Sequence, residues 1–283
     1  MNGRTDAGWH APLISQRNVV VGGGSGIGRG LAIALASAGA DVFVLGRRRA
    51  MLEETVGLAG DLPGRVTPIT CDVLDERSVD DAFTAIESAG GSAAGIAHCA
   101  ASVNYTPAAE LTPRGFRDVV ESVLFGAFNV LHRWSAPLLA AGEPAVAVFV
   151  TSHIATRGTP GAAHSSAGKA GVEAMVKSIA REWGPAGIRL NVVGPGVFPV
   201  ERNAELVSRP EFRAAVERNI ALRRVGELRE AVDPLMFLLS EAASYITGEV
   251  IASDGGFRLT PEFLPRWSYP AGLPIDQPAA AGG

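Results

Sequence analysis

Short apolar runs punctuate the chain at Val19–Val21, Val42–Leu45, Val66–Thr70, Gly95–Cys99, Val146–Thr151, Arg189–Val193 and Val250–Ala252. Many are apolar on consecutive residues rather than on alternate ones, the pattern of strands covered on both faces. Between them, apolar residues at helical spacing predict helices over Gly26–Ser37, Ala50–Leu58, Glu76–Ser88, Pro113–Leu139, Ala167–Trp183 and Leu228–Leu239. Such alternation predicts one α/β domain: a doubly wound, parallel, seven-stranded sheet with helices on both faces. There are no internal repeats and no interdomain linker. The expected organisation is a flexible N-terminus (1–15), the domain (16–260) and a Pro-rich C-terminal tail (261–283). The tail carries Phe263, Trp267 and Tyr269. Partial disorder and packing over a pocket or a neighbouring subunit are both open for it.

Composition narrows the function classes. Hydrophobic residues make up 47% of the 283 residues, enough for a full core, and the net charge of −4 gives no basic field for nucleic acid. The longest apolar stretches, such as Ala145 to Val150, are far too short to span a bilayer, so no membrane partner is expected. The segment Met1 to Ser15 is polar, carries Asp6 and has no apolar signal core, which points to a cytoplasmic protein. Cys71 and Cys99 close apolar runs and read as buried free thiols in a reducing compartment. The histidines show no paired metal-ligand spacing, and no metal site is expected.

The most informative stretch is Val19-Val20-Val21-Gly22-Gly23-Gly24-Ser25-Gly26-Ile27-Gly28. A β-branched run ends in glycines and an apolar helix begins at once. Glycines let the backbone come close to a bulky anion, and the N–H groups of the first helical turn point at it. The pyrophosphate of a dinucleotide is the ligand this turn predicts, with Gly22, Gly24, Ser25, Gly26, Ile27 and Gly28 around it. In such folds the end of the second strand meets the adenosine ribose. Here no carboxylate stands there to select a free 2′-hydroxyl; Arg47, Arg48 and Arg49 follow instead. Guanidinium groups clamp phosphate, so NADP(H) is favoured over NAD(H), with Arg47 first and Arg48 second. Asp72, at the end of the third strand, either accepts from the adenine amino group or caps the next helix.

With these features the chain resembles the short-chain dehydrogenase/reductase family from about Asn18 to Leu259. The marks are Gly22-x3-Gly26-x-Gly28, Cys71-Asp72-Val73, His98-Cys99-Ala100-Ala101, Ser152, Lys169, Asn191-Val192-Val193-Gly194-Pro195-Gly196, and Ile246-Thr247-Gly248 leading to Asp254-Gly255-Gly256. The resemblance implies a Rossmann-type sheet, with Asp72, Val73 and Ala100 along the cofactor. It also implies that Pro195, Gly196 and Val197 approach the nicotinamide and that Lys169 bonds its ribose. Homotetramers built on the two long helices are implied as well; their small residues Ala127, Ala167, Gly168, Ala170, Gly171 and Ala174 permit close packing.

The family's Tyr-x3-Lys departs here: Ser165 stands four residues before Lys169, positions that share a helix face. The family's helix asparagine is Val123, while its strand-end serine is kept as Ser152. Ser-x3-Lys with valine in the asparagine position is similar to the 2,4-dienoyl-CoA reductase branch. That branch reduces a conjugated C=C of an acyl thioester, and an enolate oxygen needs hydrogen-bond donors, which Ser152, Ser165 and Lys169 supply. The tyrosine and asparagine that the mitochondrial type of this branch carries are replaced here by Ile154 and Phe125. A serine hydroxyl is a far weaker acid than a phenol, so the proton donor is open among Tyr105, His153, His164 and Asn104. The stretch Val197 to Arg224 is expected to form a substrate lid, its charges either solvated or facing an acyl-thioester arm, and Val123, Phe125 and Phe198 to wall an apolar pocket. Three functions stay in view: an NADPH-dependent reductase of a conjugated C=C or activated carbonyl on a small-molecule substrate such as an acyl thioester; an ordinary ketone or alcohol oxidoreductase with a relocated acid; and a non-redox dehydratase, cyclase or cofactor-binding homologue.

Overall fold

The structure is a computed structural model that describes residues 12–100 and 105–259. Its strands are β1 (Arg17–Val21), β2 (Asp41–Gly46), β3 (Arg65–Thr70), β4 (Gly95–His98), β5 (Ala145–Val150), β6 (Ile188–Pro195) and β7 (Val250–Ser253). All pair in parallel, in the order β3-β2-β1-β4-β5-β6-β7. The helices are α1 (Gly26–Ser37), α2 (Arg49–Ala59), α3 (Glu76–Ser88), α4 (Pro113–Val120), α5 (Gly126–Ala141), α6 (Ile154–Arg157), α7 (Ala163–Trp183), α8 (Ala204–Ser208), α9 (Pro210–Asn219) and α10 (Leu228–Leu238).

Successive strand residues face opposite layers. Val19, Val21, Ala147 and Phe149 join α3, α5 and α7 through Phe83, Leu131, Trp134 and Val176. Val20, Val42, Val146 and Val148 join α1 and α10 through Leu31, Leu35, Leu235 and Leu238. The consecutive apolar positions of the sequence are thus a sheet sandwiched between helices, as expected. The strand order reverses between β1 and β4, and ligands of open α/β sheets bind outside the carboxyl ends of the strands at such a point.

Several expectations need correction. The long helix expected over Pro113–Leu139 is broken by one π-helical turn, Glu121–Phe125, between α4 and α5. That turn packs on α7: a side chain at Gly168 would meet Val123 at 3.1 Å, and one at Gly171 would meet Leu124 at 2.9 Å. Val123 is therefore core rather than pocket wall, and Phe125 is exposed. α7 starts at Ala163, not Ala167, because Ser166 N–H already donates to the Ala162 carbonyl at 2.8 Å. β4 ends at His98, so Cys99 belongs to the loop. The N-terminal segment is fastened where it is described: Leu13 is buried beside Ser240, and Ile14 N–H donates to Leu239 O at 3.0 Å. The tail aromatics Phe263, Trp267 and Tyr269, and Asn104, lie outside the described residues.

The tightest approach in the fold lies at the start of α1. Gly22 has φ +79°, and a Cβ there would sit 2.7 Å from Ala100 N, while a Cβ on Gly28 would run into the Gly22 carbonyl. Gly28→Ala is expected to lower stability by about 1–3 kcal/mol, the usual cost of overpacking a site that must shift. Urea unfolding followed by circular dichroism measures it.

Candidate active site

The β1–α1 turn leaves its donors uncapped by local side chains. Ser25 makes no capping bond and no acidic residue lies in the first turn of α1. Beneath it lies the guanidinium of Arg29, which is 9% exposed. It donates to Gly24 O at 2.6 Å and Thr55 Oγ1 at 3.2 Å, and pairs with Glu54 at 2.8 Å and Glu201 at 3.1 Å. Gly26 N–H donates to the other Glu201 oxygen at 2.8 Å. An anionic oxygen is therefore already held by the donors expected to meet a phosphate, so the turn is built to hold an anion.

From the turn a cleft of about 680 Å³ runs along the carboxyl ends of the strands. That is within the usual range for small-molecule sites. Gly22, Gly24, Ser25, Gly26, Ile27 and Gly28 line one end, and Arg47, Arg48, Asp72 and Val73 a second wall. Ala100, Ser152, Lys169, Pro195 and Gly196 also line it. Arg47 and Arg48 are exposed, and neither forms an ion pair with another described residue, whereas Arg49 pairs with Glu53 at 2.8 Å. Asp72 does not cap α3; Asp75 does, and Asp72 Oδ1 accepts from Leu74 N–H at 3.1 Å. Val197 lines a neighbouring cavity of about 480 Å³ at the end of β7. Phe198 is shared by the two cavities, the one expected wall residue found in place.

Lys169 is almost fully buried, and its ammonium donates to the Thr151 carbonyl at 3.0 Å. Burial, with the Arg202 charge second, lowers its pKa to about 8. Thr151 Oγ1 in turn donates to Glu173, whose carboxyl is raised by burial. Ser152, two residues past the end of β5, has its hydroxyl 3.3 Å from His153 Nδ1, and that nitrogen is 3.3 Å from Pro195 O. The His153 ring lies against Phe257, and burial lowers its pKa. Ser152 and His153 thus sit together at the mouth of β6.

Besides Val197, two expected site residues stand off the cleft. Ser165 has no exposed surface and does not line the cleft; its hydroxyl has no partner among the described residues. Tyr105 is 66% exposed and also lies off the cleft walls. His164, a candidate proton donor, is buried and does not line the cleft. Sequence reading passed over His98 as a titratable neighbour of Lys169: it is buried, stacked on Phe149, and held at a pKa of about 4 by burial and by the Lys169 charge. It also passed over Ser122, which the π-helical turn brings to the cleft, and Glu201. Only the Ser122 position carries no sequence signal, since nothing in Glu121–Phe125 marks a π turn. Cys99 lines the cleft, but burial raises its thiol to about 12, so it is no thiolate nucleophile. No helix among the described residues is long and apolar enough to cross a membrane.

A family model described as Enoyl-(Acyl carrier protein) reductase matches residues 22–258. The chain belongs to the short-chain dehydrogenase/reductase family, whose members are oxidoreductases that use nicotinamide cofactors. Among its relatives is a probable 2,4-dienoyl-CoA reductase (the (2E)-enoyl-CoA-producing kind) of Bacillus subtilis, 33% identical over 247 residues, 86% of this chain and 96% of that protein. The 3-oxoacyl-[acyl-carrier-protein] reductase MabA of Mycobacterium bovis is 33% identical over 256 residues, covering 90% and 98%. The solved structure of a short-chain type dehydrogenase/reductase from Mycobacterium ulcerans superposes with a TM-score of 0.82 at 29% identity, covering 86% of this chain and 90% of that one.

Burial of Lys169 has a measurable consequence. Between pH about 8 and its ordinary value of 10.5, the unfolded lysine holds a proton that the folded one has shed. Stability from this group therefore rises with pH across that window. Cys71 and Cys99, with thiols raised to about 11 and about 12, act oppositely above their ordinary 9.0. The wild type and Lys169→Met both keep the thiols, and loss of the Lys169 charge, which lowers the Cys99 thiol in the wild type, moves their difference in the same direction. Denaturant unfolding from pH 7 to 10.5 is expected to show that difference moving in the wild type's favour as pH rises.

Proposed function

We propose that the protein is an NADPH-dependent reductase of a conjugated C=C in an enoyl or dienoyl thioester, or of an activated carbonyl. One observation carries this reading: the glycine turn, the unpaired Arg47 and Arg48, Lys169 and Ser152 all face one continuous cleft. The dinucleotide would be held by the turn from Gly22 to Gly28, with Arg47 and Arg48 on a 2′-phosphate and Lys169 on the nicotinamide ribose. When bound it supplies a hydride. The chain's own part is to hold the oxygen on which negative charge develops. Ser152 and Lys169 reach the cleft and are assigned that role. Lys169, with a pKa of about 8, is also an acid matched to neutral pH. The Ser165 hydroxyl, buried and without a partner among the described residues, lies off the cleft and is given no part in holding that oxygen. Relatives of both reaction types, a dienoyl-CoA reductase and a 3-oxoacyl reductase, support the class of substrate without choosing between C=C and C=O.

A second reading rests on the Ser152–His153 contact: carbonyl reduction with His153 as the acid. Tyr105, exposed and off the cleft, gives no support to a relocated tyrosine acid. A homotetramer fits the face of α5 and α7, where Phe128 of α5 and Phe125 of the preceding π-helical turn are exposed. Ala167, Ala170 and Ala174 are exposed there too, and a cytoplasmic location belongs to the same reading.

NADPH consumption is to be followed with conjugated enoyl and dienoyl thioesters and with simple ketones. Turnover of thioesters, cut about 10²–10³-fold in Ser152→Ala, is the expected result. Arg47→Asp is expected to weaken NADPH binding by about tenfold or more, the scale of a charge-assisted phosphate contact, and to close the gap to NADH. Equal NADPH and NADH affinity in the parent would refute the cofactor choice, and turnover of ketones alone would favour the second reading.

A further inference from the structure

We infer that Glu201, on the lid after β6, competes with the cofactor's pyrophosphate for the first donor of α1, and so sets dinucleotide affinity. The inference rests on the cofactor reading above but concerns a residue that reading does not use. Glu201 lies 175 residues from Gly26 in sequence, yet its Oε2 accepts from Gly26 N–H at 2.8 Å. Its Oε1 takes Arg29 Nη1 at 3.1 Å. No local side chain offers α1 this cap, since Ser25 makes no capping bond and the first turn has no acid. The carboxylate is thus a tertiary cap, attracted by the partial charge of the helix N-terminus and by Arg29.

The lid presents it from an ordered turn. Asn203 Oδ1 accepts from Val200 N–H at 2.9 Å, and Asn203 Nδ2 donates to Phe198 O at 3.0 Å. Val200 lies over Gly26, 3.5 Å from where a Cβ would stand. A phosphate oxygen arriving at Gly26 N–H meets a carboxylate already on that donor. Two anions repel at such range, so Glu201 must leave for the pyrophosphate to settle. Its departure does not strip Arg29 of a partner, because Glu54 remains at 2.8 Å. Cofactor arrival therefore also unfastens the lid at the point where it touches the turn.

The test is titration calorimetry of the full-length, cofactor-free protein with NADPH, comparing wild type, Glu201→Gln, Glu201→Ala and Glu54→Gln. Both Glu201 variants are expected to bind about threefold to tenfold more tightly, the scale of one charge at a helix N-terminus. Glu54→Gln removes the same charge from Arg29 without touching Gly26, and is expected to change the Kd less than about twofold. Unchanged or weaker binding in the Glu201 variants overturns the inference; weaker binding would make the carboxylate a ligand of the cofactor. Equal tightening in Glu54→Gln also overturns it, since a general field would then suffice. Binding by the variants with none by wild type supports it in its strongest form. No uptake of NADPH by any of the four proteins overturns it together with the cofactor reading, a result distinct from wild-type binding that the variants leave unchanged.

Discussion

Everything at this site depends on how closely α1 crosses the end of β1. With no side chain at Gly28, the helix lies directly on the Gly22 carbonyl, and with none at Gly22 the β4 loop lies directly on the turn. That packing leaves the first amides of α1 pointing past the sheet edge without a local cap. It also buries Arg29 under the turn, where its guanidinium ties Gly24 to Thr55 of α2. A helix N-terminus over a buried cation is a strong anion site, and in this structure the Glu201 carboxylate meets the demand. The geometry makes the turn selective for anions before any substrate chemistry is considered.

A second constraint places the lysine. The π-helical turn presses Val123 and Leu124 against Gly168 and Gly171, so α7 is held close along the stretch that carries Lys169. Valine at position 123 contributes packing and no hydrogen bond. Lys169 is left with one bond shown from its ammonium, to Thr151 O. A buried ammonium with so few acceptors is costly to keep charged, and its pKa falls. The Arg202 charge adds to the same lowering.

The fold was legible because most strands are consecutive apolar runs, and β1, β2, β3, β6 and β7 are also closed by a glycine or an aspartate at or just past their ends. The turn at Gly22–Gly28 and Arg47 and Arg48 were legible because strand ends of this fold open at one edge, while Ser152, Lys169 on α7 and the Pro195-Gly196 pair were picked out by the family resemblance, and all of them line the cleft. What escaped was non-local or conformational. The π turn at Glu121–Phe125 has ordinary helical composition. Glu201 reads as one more lid charge until the fold brings it to Gly26. His98 reads as one more residue of the fourth strand until its burial beside Lys169 is seen.

Ser165 shows where spacing alone misleads. Positions four apart on a helix share direction, but they do not share reach. Lys169 has a long stem that carries its ammonium to the cleft wall, while the serine hydroxyl ends one bond beyond Cβ and stays inside the packed layer. A tyrosine at the same position would carry its oxygen several bonds farther from the helix. Replacing it by serine does more than weaken an acid: it withdraws the donor toward α7. The groups left at the cleft surface are Ser152 and a lysine whose pKa has already been brought down to about 8. A site arranged in this way favours chemistry in which an oxygen is held while charge develops and a proton is supplied near neutral pH, and it places less demand on a phenol.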